Sequence, residues 1–339
     1  MIPFNWNPTA CRIRSTITQE KDEAAWKQVR DTGIGGSDIG AICGVSPFSS
    51  ARQIYLAKTH QYEDALKPSD AAIERMRFGS LLEPIVADEY ARITGAVLAP
   101  INATLVRCDT PWALANVDRL MTHKDMDGIG ILECKTTGEY NLDEWDSGEI
   151  LLSYIYQLNW YFWVTGLKWG AFACLVGGNK FFHYTVFRDD DLINNVLIPK
   201  ATEFWNEYVS KMQEPPLASV DTDFANTIYA DVVKGSEIAL PDDDANILAK
   251  TVVECKASIK ELEATLEEAK NKLKDLLKNT EIGYTQDYVV KWSPRQRRSV
   301  SAEILKKNYP DIYNQCTKVS SFRVMTVKGG VADVSGLNL

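Results

Sequence analysis

The segment Gly130–Thr137, which reads Gly-Ile-Leu-Glu-Cys-Lys-Thr-Thr, constrains the fold of this chain more than any other stretch. Its apolar and β-branched residues follow a turn-forming run at 125–128, and this order predicts a strand. Because side chains alternate between the two faces of a strand, Glu133 and Lys135 point the same way. A carboxylate and an ammonium on a buried strand are costly to desolvate unless they meet partners. The segment therefore predicts a strand that carries a polar site.

A second strand-like run, at residues 114–121, has Asp118 near its end. If the two runs pair through the intervening turn, Asp118 and Glu133 converge with Lys135 beside them. Two oxygen ligands and a lysine suit a hard cation, Mg²⁺ with Mn²⁺ as a substitute. A lone Glu-x-Lys on a strand is more often a solvated face, so the pattern carries weight only in combination.

The combination of Asp118, a hairpin-length spacer, Glu-x-Lys and a following amphipathic helix resembles the core of the PD-(D/E)XK nucleases. Asn116-Val117 stands where that family often has a proline-containing pair, but the ligand position itself is kept. The resemblance implies an α/β (α+β) fold with a restriction-endonuclease-like core, in which a central mixed sheet is flanked by helices.

The length of 339 residues allows one large domain with an appendage, or two domains. We expect a nuclease domain at 1–216, ending at Pro215-Pro216, and a C-terminal extension at 217–339. Apolar residues alternate at spacings of three and four over about 245–279, which predicts a heptad helix. A basic α/β tail follows it, with strands expected at 284–292 and 320–328 and a short helix at 302–309.

Composition sets limits on location and chemistry. Seven cysteines without a C-x-x-C pair favour reduced thiols in the cytoplasm, and no signal peptide or membrane span is predicted. The net charge of −9 is unevenly distributed, because residues 284–328 carry nine Lys and Arg against three acidic residues. Arg295, Arg297 and Arg298 in this tract are possible DNA contacts.

Several further elements supply candidate site residues. The glycine-rich turn at 32–40 predicts a helix with Ser37 as its N-cap, and Arg30 lies just before it. A helix at 70–94 carries Glu83. Residues 139–150 read as a mobile connection, and the aromatic helix at 151–165 places Tyr154 and Gln157 on one face. Strands are predicted at 101–107, 169–176 and 180–187, and a helix at 189–213.

These residues, in this order and spacing, resemble the lambda-exonuclease-like (YqaJ viral recombinase) family over roughly residues 26–208. The resemblance implies metal ligands at Asp118, Glu133, the Cys134 backbone carbonyl and Glu83, catalytic roles for Lys135 and Gln157 with Asp118 and Glu133, and 5′-phosphate contacts at Arg30 and Ser37. Tyr154 is a possible DNA contact.

The activity that this resemblance implies is a metal-dependent 5′→3′ exonuclease that degrades linear double-stranded DNA from its ends. The product would be 3′ single-stranded tails for phage-type homologous recombination. The implied partners are a single-strand annealing protein and further copies of the chain in a ring-shaped trimer. Two alternatives stay open: a PD-(D/E)XK endonuclease, and a DNA-end-binding module without catalysis, against which the intact Asp118, Glu133 and Lys135 set speaks.

Overall fold

A computed structural model describes residues 3–62, 64–240, 242–318 and 323–329 of the chain. It divides into two compact units, Met1–Tyr229 and Ala230–Leu339. The helices and strands of the first unit are β1 (Cys11–Ser15), α1 (Glu23–Asp31), α2 (Gly36–Ile42), α3 (Ala51–Lys58), α4 (Asp70–Thr94), β2 (Val97–Ala99), β3 (Thr104–Arg107), β4 (Leu114–Ala115), β5 (Arg119–Thr122), β6 (Gly130–Thr137), α5 (Leu142–Ser147), α6 (Leu152–Thr165), β7 (Trp169–Val176), β8 (Lys180–Phe187), α7 (Asp190–Leu192), α8 (Ile198–Glu203) and α9 (Thr222–Ile228). The π-helical turns Ile193–Leu197 and Phe204–Val209 join α7 and α8 into one helical segment over 190–209.

The central sheet has five strands in the order β2-β5-β6-β7-β8. β6 and β7 are parallel, and every other neighbouring pair is antiparallel, so the sheet is mixed. The parallel pair requires a crossover connection, which α5 and α6 provide. A smaller antiparallel sheet has the order β1-β3-β4. The predicted mixed sheet flanked by helices is confirmed.

Alternation along β6 assigns its two faces to two different helices. Ile131 belongs to the core cluster that contains Leu158 and Phe162 of α6. Leu132 belongs to the cluster that contains Val86 and Tyr90 of α4. The sheet thus lies between α4 and α6. Glu133 and Lys135, which share a face with Ile131, are directed toward α6.

The helix α6 is apolar nearly all round, as expected for a helix that is enclosed on every side. Nine consecutive residues, Gln157 to Thr165, are buried. Gln157 and Asn159 are polar members of this run, and both are hydrogen-bonded: Asn159 Oδ1 accepts from the Asp189 N–H at 2.8 Å. Gln157 bonds within the site described below.

The first unit continues past Pro215-Pro216, where we placed the domain boundary. Asp221 is buried, and its Oδ1 accepts hydrogen bonds from Ser50 Oγ at 2.7 Å and Gln53 Nε2 at 2.8 Å. Phe224 joins the main core cluster. These contacts hold residues 219–228 to α3, and the domain boundary at 216 stays a prediction.

Four local expectations differ from the structure. The run at 114–121 is not one strand, because it breaks at 116–118, where Asn116 Nδ2 donates to Thr104 Oγ1 at 2.8 Å. The strand expected at 101–107 begins only at Thr104. Residues 139–150 are not a loop: they form a 3-10 turn (Glu139–Asn141) and α5, which Trp145 anchors in the core. The N-cap of α2 is Gly35 rather than Ser37.

The second unit contains the helix α10 (Asp242–Leu277), the hairpin β9 (Ile282–Tyr284) and β10 (Val289–Lys291), and the short helices α11 (Ala302–Asn308) and α12 (Pro310–Cys316). The single strand expected at 284–292 is therefore wrong, since that span holds the last residue of β9, the turn and β10. Of the strand expected at 320–328, residues 320–322 lie outside the described part of the chain, and 323–328 form no strand.

Candidate active site

Asp118 is fixed beside β6 by the pairing of two strands. β5 runs antiparallel to β6, with Arg119 opposite Leu132. Asp118 lies just before β5, where the chain bends, and its Oδ2 accepts the Cys134 N–H at 2.8 Å. The break in the predicted strand thus turns this carboxylate onto the middle of β6.

Glu133, Lys135 and Gln157 form one hydrogen-bonded cluster. Lys135 Nζ donates to Glu133 Oε1 at 2.8 Å and to Gln157 Oε1 at 3.0 Å. Gln157 Nε2 donates to Glu133 Oε1 at 2.6 Å and to Tyr161 Oη at 3.1 Å. Lys135 also lies over the Tyr154 ring, 4.7 Å from its centroid. The sequence prediction that these side chains meet on one face is what the structure shows.

Electrostatics in the cluster are unfavourable to its own carboxylates. Burial, together with the nearby carboxylates of Glu133 and Glu83, raises the pKa of Asp118 well above its ordinary value. Burial also raises the pKa of Glu133, although Lys135 acts in the opposite direction. Burial would lower the pKa of Lys135, but Glu133 and Asp118 outweigh it and raise that pKa. Lys135 is therefore an ammonium at neutral pH. Its single positive charge does not balance the negative charges of Asp118, Glu133 and Glu83.

The donor set fits a divalent cation. Glu133 Oε1 accepts two hydrogen bonds, whereas the buried Glu133 Oε2 has no hydrogen-bond partner among the residues that the structure describes. A buried carboxylate oxygen without a donor is costly, and a hard cation beside Asp118 would remove that cost. Such an ion would be held by Asp118 and Glu133, and the Cys134 carbonyl between them stays a predicted third ligand.

Glu83 is engaged elsewhere. Its Oε1 accepts from Arg119 Nη1 at 2.6 Å, and the same nitrogen donates to the Asp118 carbonyl at 2.7 Å. Within the described ranges, no three His, Cys, Asp or Glu side chains are grouped closely enough to hold a metal. Glu83 therefore influences Asp118 through its charge, and its role as a ligand stays a prediction that requires it to leave Arg119.

Asp118 lines a cleft of about 570 Å³ together with Glu83 and Arg119. The remaining lining residues are Ile17, Thr18, Gln19, Glu20, Trp26, Ser80, Pro84, Pro100, Asn102, Ala103, Asn116 and Val117. The cleft gives a polymeric substrate a route to the Asp118 carboxylate.

Arg30 and Ser37 are brought together, as the sequence predicts, by a buried ion pair that the sequence did not reveal. Arg30 Nη2 donates to Ser37 Oγ at 2.7 Å and lies 3.6 Å from Asp38 Oδ1. Lys58 Nζ lies 2.9 Å from Asp38 Oδ2 and donates to the Arg30 carbonyl at 2.9 Å. Asp38 Oδ2 also accepts the Gly35 N–H at 2.9 Å. Burial acts to raise the pKa of Asp38, but Lys58 and Arg30 hold it below its ordinary value.

The backbone of the helix that carries Ser37 packs directly on two residues of α6. A Cβ added at Gly36 would lie 2.4 Å from the Tyr161 ring, and one added at Gly40 would lie 2.9 Å from Ser153 Cβ. Only glycine permits this approach at both positions. The Arg30 and Ser37 pair is thereby fixed relative to Gln157, which is hydrogen-bonded to Tyr161.

The remaining predicted contacts are placed less definitely. Tyr154 faces Lys135 and lines a second, more apolar cavity with Phe78 and Thr136, so its role toward DNA stays a prediction. Arg295, Arg297 and Arg298 are exposed in a stretch of the second unit without helix or strand.

Sequence reasoning missed three charged residues of the site: Asp38, Lys58 and Arg119. Arg119 could have been found, because it directly follows a predicted metal ligand. Lys58 has no signal of this kind, since it reaches Asp38 only through the packing of α3 beside α2.

Comparison with known proteins places these features in a family. The YqaJ-like viral recombinase domain matches residues 25–168. The uncharacterized protein YqaJ of Bacillus subtilis (strain 168) is 34% identical over 313 residues, which span 91% of this chain and 95% of that protein. The chain belongs to the YqaJ-like viral recombinase family.

Solved structures with similarity to the chain include an alkaline exonuclease from Laribacter hongkongensis, with a TM-score of 0.44, 20% identity, and coverage of 56% of this chain and 94% of that one. A phage-related exonuclease from Haemophilus somnus 129PT gives a TM-score of 0.38 and 12% identity, with coverage of 53% of this chain and 96% of that one. In the described part of the chain, no helix is both long and apolar enough to cross a membrane.

Proposed function

We propose that this protein is a Mg²⁺-dependent exonuclease that degrades linear double-stranded DNA in the 5′→3′ direction and leaves 3′ single-stranded tails for recombination. The observation that carries the proposal is the cluster of Asp118, Glu133, Lys135 and Gln157, in which one buried Glu133 oxygen has no hydrogen-bond partner within the described part of the chain. Membership of the YqaJ-like family supports the same class of activity, a nuclease acting in recombination.

The residues of the cluster have separable roles in phosphodiester hydrolysis. Asp118 and Glu133 would hold the divalent cation, which supplies Lewis acidity and lowers the pKa of a bound water. Lys135, as an ammonium, orients the attacking water or stabilises negative charge that develops on the phosphate. Gln157 keeps Lys135 and Glu133 in register through its two hydrogen bonds.

End recognition belongs to Arg30 and Ser37. A guanidinium and a hydroxyl 2.7 Å apart can both donate to a terminal phosphate. The Arg30 side chain retains 28% exposure, so it is accessible from solvent while Asp38 and Lys58 hold its position. We further propose, from the family resemblance, that the chain works as a ring-shaped trimer with a single-strand annealing protein.

One assay tests the activity directly. Purified protein is incubated with a linear duplex labelled at either 5′ or 3′ ends, with Mg²⁺, Mn²⁺ or EDTA, beside a covalently closed circle. The proposal expects cation-dependent loss that progresses from 5′ ends, and an intact circle. Nicking of the circle would make the protein an endonuclease, and binding to ends without hydrolysis would make it a DNA-end-binding module.

Arg30→Ala is expected to remove discrimination between the two kinds of end. The wild-type protein should prefer 5′-phosphorylated to 5′-hydroxyl ends by at least about tenfold, equivalent to ~1.4 kcal/mol, because charge-assisted hydrogen bonds favour a dianion. Arg30→Lys should recover part of the preference, since lysine restores charge but not two-pronged donation. The measurement is the initial rate on each substrate in parallel.

Lys27→Ala is the matched control for Arg30, because Lys27 lies on the same helix and lines the same small cavity. It removes one positive charge without contact to Ser37, so the preference should persist. Equal rate losses on both kinds of end in Arg30→Ala would show that Arg30 only braces its helix.

Charge reversal of Arg295, Arg297 and Arg298 to Glu is expected to weaken DNA binding and flatten its salt dependence. Each lost phosphate contact should lower the slope of log affinity against log salt by about 0.9, so the triple variant should lose about 2–3 in slope. The measurement is DNA affinity across a salt series with Ca²⁺ in place of Mg²⁺. The control is a triple variant in which Lys250, Lys260 and Lys274 of α10 are changed to Glu, so that the net charge changes by the same amount. If the two triple variants had equal slopes of log affinity against log salt, the three arginines would not be DNA contacts.

A further inference from the structure

The helix α10 exposes an apolar seam along most of its length. It runs for 36 residues, and Leu248, Leu262 and Leu276 are 66%, 69% and 79% exposed. Helices in water are stabilised chiefly by packing of an apolar face, so a seam of this length implies a partner that covers it.

The pattern of the seam identifies the kind of partner. Apolar and small residues occupy every first (a) and fourth (d) heptad position, with a = Ala245, Val252, Ile259, Leu266 and Leu273, and d = Leu248, Cys255, Leu262, Ala269 and Leu276. The flanking e and g positions at 251–272 are polar. Ile247 and Val253 widen the apolar face at the start of the helix, but over residues 254–276 the large apolar side chains fall only at a and d. A helix that packs on a globular domain needs a wider apolar face, whereas an a/d stripe of period 3.5 matches another helix of the same period.

We propose that α10 pairs with α10 of a second copy of this chain as a parallel, in-register, two-stranded coiled coil. β-branched Val252 and Ile259 at a, with leucine at three d positions, favour two parallel strands. In that register the facing g and e positions carry no like charges. The pairs are Thr251 with Lys256, Ser258 with Glu263, Thr265 with Lys270, and Lys272 with Leu277. The association is independent of the proposed nuclease activity. It is also a different contact from the one that would close a ring of three, because a two-stranded pair leaves one chain of a trimer without a partner; the two paired chains would belong to different rings.

Cys255 gives the parallel arrangement a specific signature. At a d position it faces its own counterpart across the seam, close enough for a disulfide. In a fully overlapped antiparallel pair the two Cys255 residues would be about 13 Å apart along the axis, because Cys255 lies off the helix centre and each residue rises 1.5 Å. Cys255 is exposed and free in the single chain.

The test uses the full chain with the other exposed cysteines, Cys108 and Cys316, changed to serine. Mild oxidation should convert most of the protein to a covalent dimer of two 38.0 kDa chains. Moving the thiol to an outward position, with Cys255→Ser and Glu261→Cys, is the control and should give little dimer. Leu262→Lys with Leu266→Lys should lower the Cys255 dimer at least about tenfold, because two ammonium groups would be buried in the seam. Glu261→Lys with Glu268→Lys should leave the yield unchanged.

Equal yields from Cys255 and the outward thiol would overturn the proposal, since random collision, or association through the first unit alone, does not distinguish the two positions. Absence of dimer from Cys255, with a monomer mass in solution, would equally overturn it. The seam would then be covered within the chain or by a different protein.

Discussion

Asp118→Asn is expected to lower the turnover of linear duplex DNA by at least about 10³-fold, while DNA-end binding in Ca²⁺ changes little. Asparagine retains an oxygen that can accept the Cys134 N–H, so the local structure should be preserved. It removes the negative charge with which Asp118 would hold the cation. Glu133→Gln should have the same effect. Initial rates at saturating DNA, with binding measured separately, provide the comparison.

Asp125→Asn is the matched control. Asp125 lies in the exposed turn before β6, so this substitution makes the same chemical change outside the cluster. Its turnover should equal that of the wild type. If Asp118→Asn kept turnover close to wild type in Mg²⁺, the cluster would not be the catalytic site.

Asp118→Asn should also stabilise the folded protein in EDTA, and the size of this stabilisation should depend on pH. Burial and the carboxylates of Glu133 and Glu83 raise the pKa of Asp118, whereas Lys135 lowers it. Because the folded-state pKa exceeds the unfolded value, stability is fully present below the unfolded pKa and is lost as pH rises through the folded pKa. Asp118→Asn has no such charge, so its thermal midpoint should exceed that of the wild type at pH 8, and the difference should shrink as the pH falls toward 3.8, the ordinary pKa of the carboxyl. A gap that widened toward low pH would contradict the assignment.

Lys135→Ala is expected to reduce turnover by a factor on the order of 10²–10⁴, with a much smaller loss of DNA affinity. The ammonium contacts Glu133 and Gln157 and lies over the Tyr154 ring, so it is fixed where the reacting groups meet. Rates should be measured at saturating Mg²⁺, because loss of Lys135 also removes the charge that holds down the pKa of Glu133.

Lys124→Ala, in the turn before β6, removes a lysine outside the cluster and should leave turnover unchanged. Parallel losses of rate and affinity in Lys135→Ala would instead make Lys135 a phosphate-binding residue, and its place in the hydrolytic step would be withdrawn.

The sequence predicts the elements around the site well where the pattern is local. The bounds of β6, α4, β7 and β8 follow from apolar periodicity, because that pattern lies within the residues of each element. The break at 116–118 does not, because it depends on Thr104 and Cys134, which are distant in sequence from that run. Strand propensity alone therefore extends the predicted strand through the position where Asp118 must turn.

Charges reached through tertiary packing were equally beyond the sequence. Glu133, Lys135 and Gln157 could be predicted because a strand and a helix fix their directions. Lys58 could not, since no periodic pattern connects α3 to Asp38. The engagement of Glu83 by Arg119 likewise depends on how α4 lies against β5.

The glycine contacts between α2 and α6 fix the distance between the Arg30 and Ser37 pair and the cluster around Glu133. Gly36 and Gly40 bring the backbone of α2 directly against Tyr161 and Ser153, with no flexible side chain between them to adjust. If Ser37 and Arg30 hold the terminal phosphate as proposed, the distance from that phosphate to the reacting phosphate near Gln157 and Lys135 is set by the packing of the α2 backbone on the Tyr161 ring and on Ser153. The cut would then be placed by its distance from the end and not by the base sequence. Every cut from an end would release a product of the same length, whatever bases lie between the end and the cut.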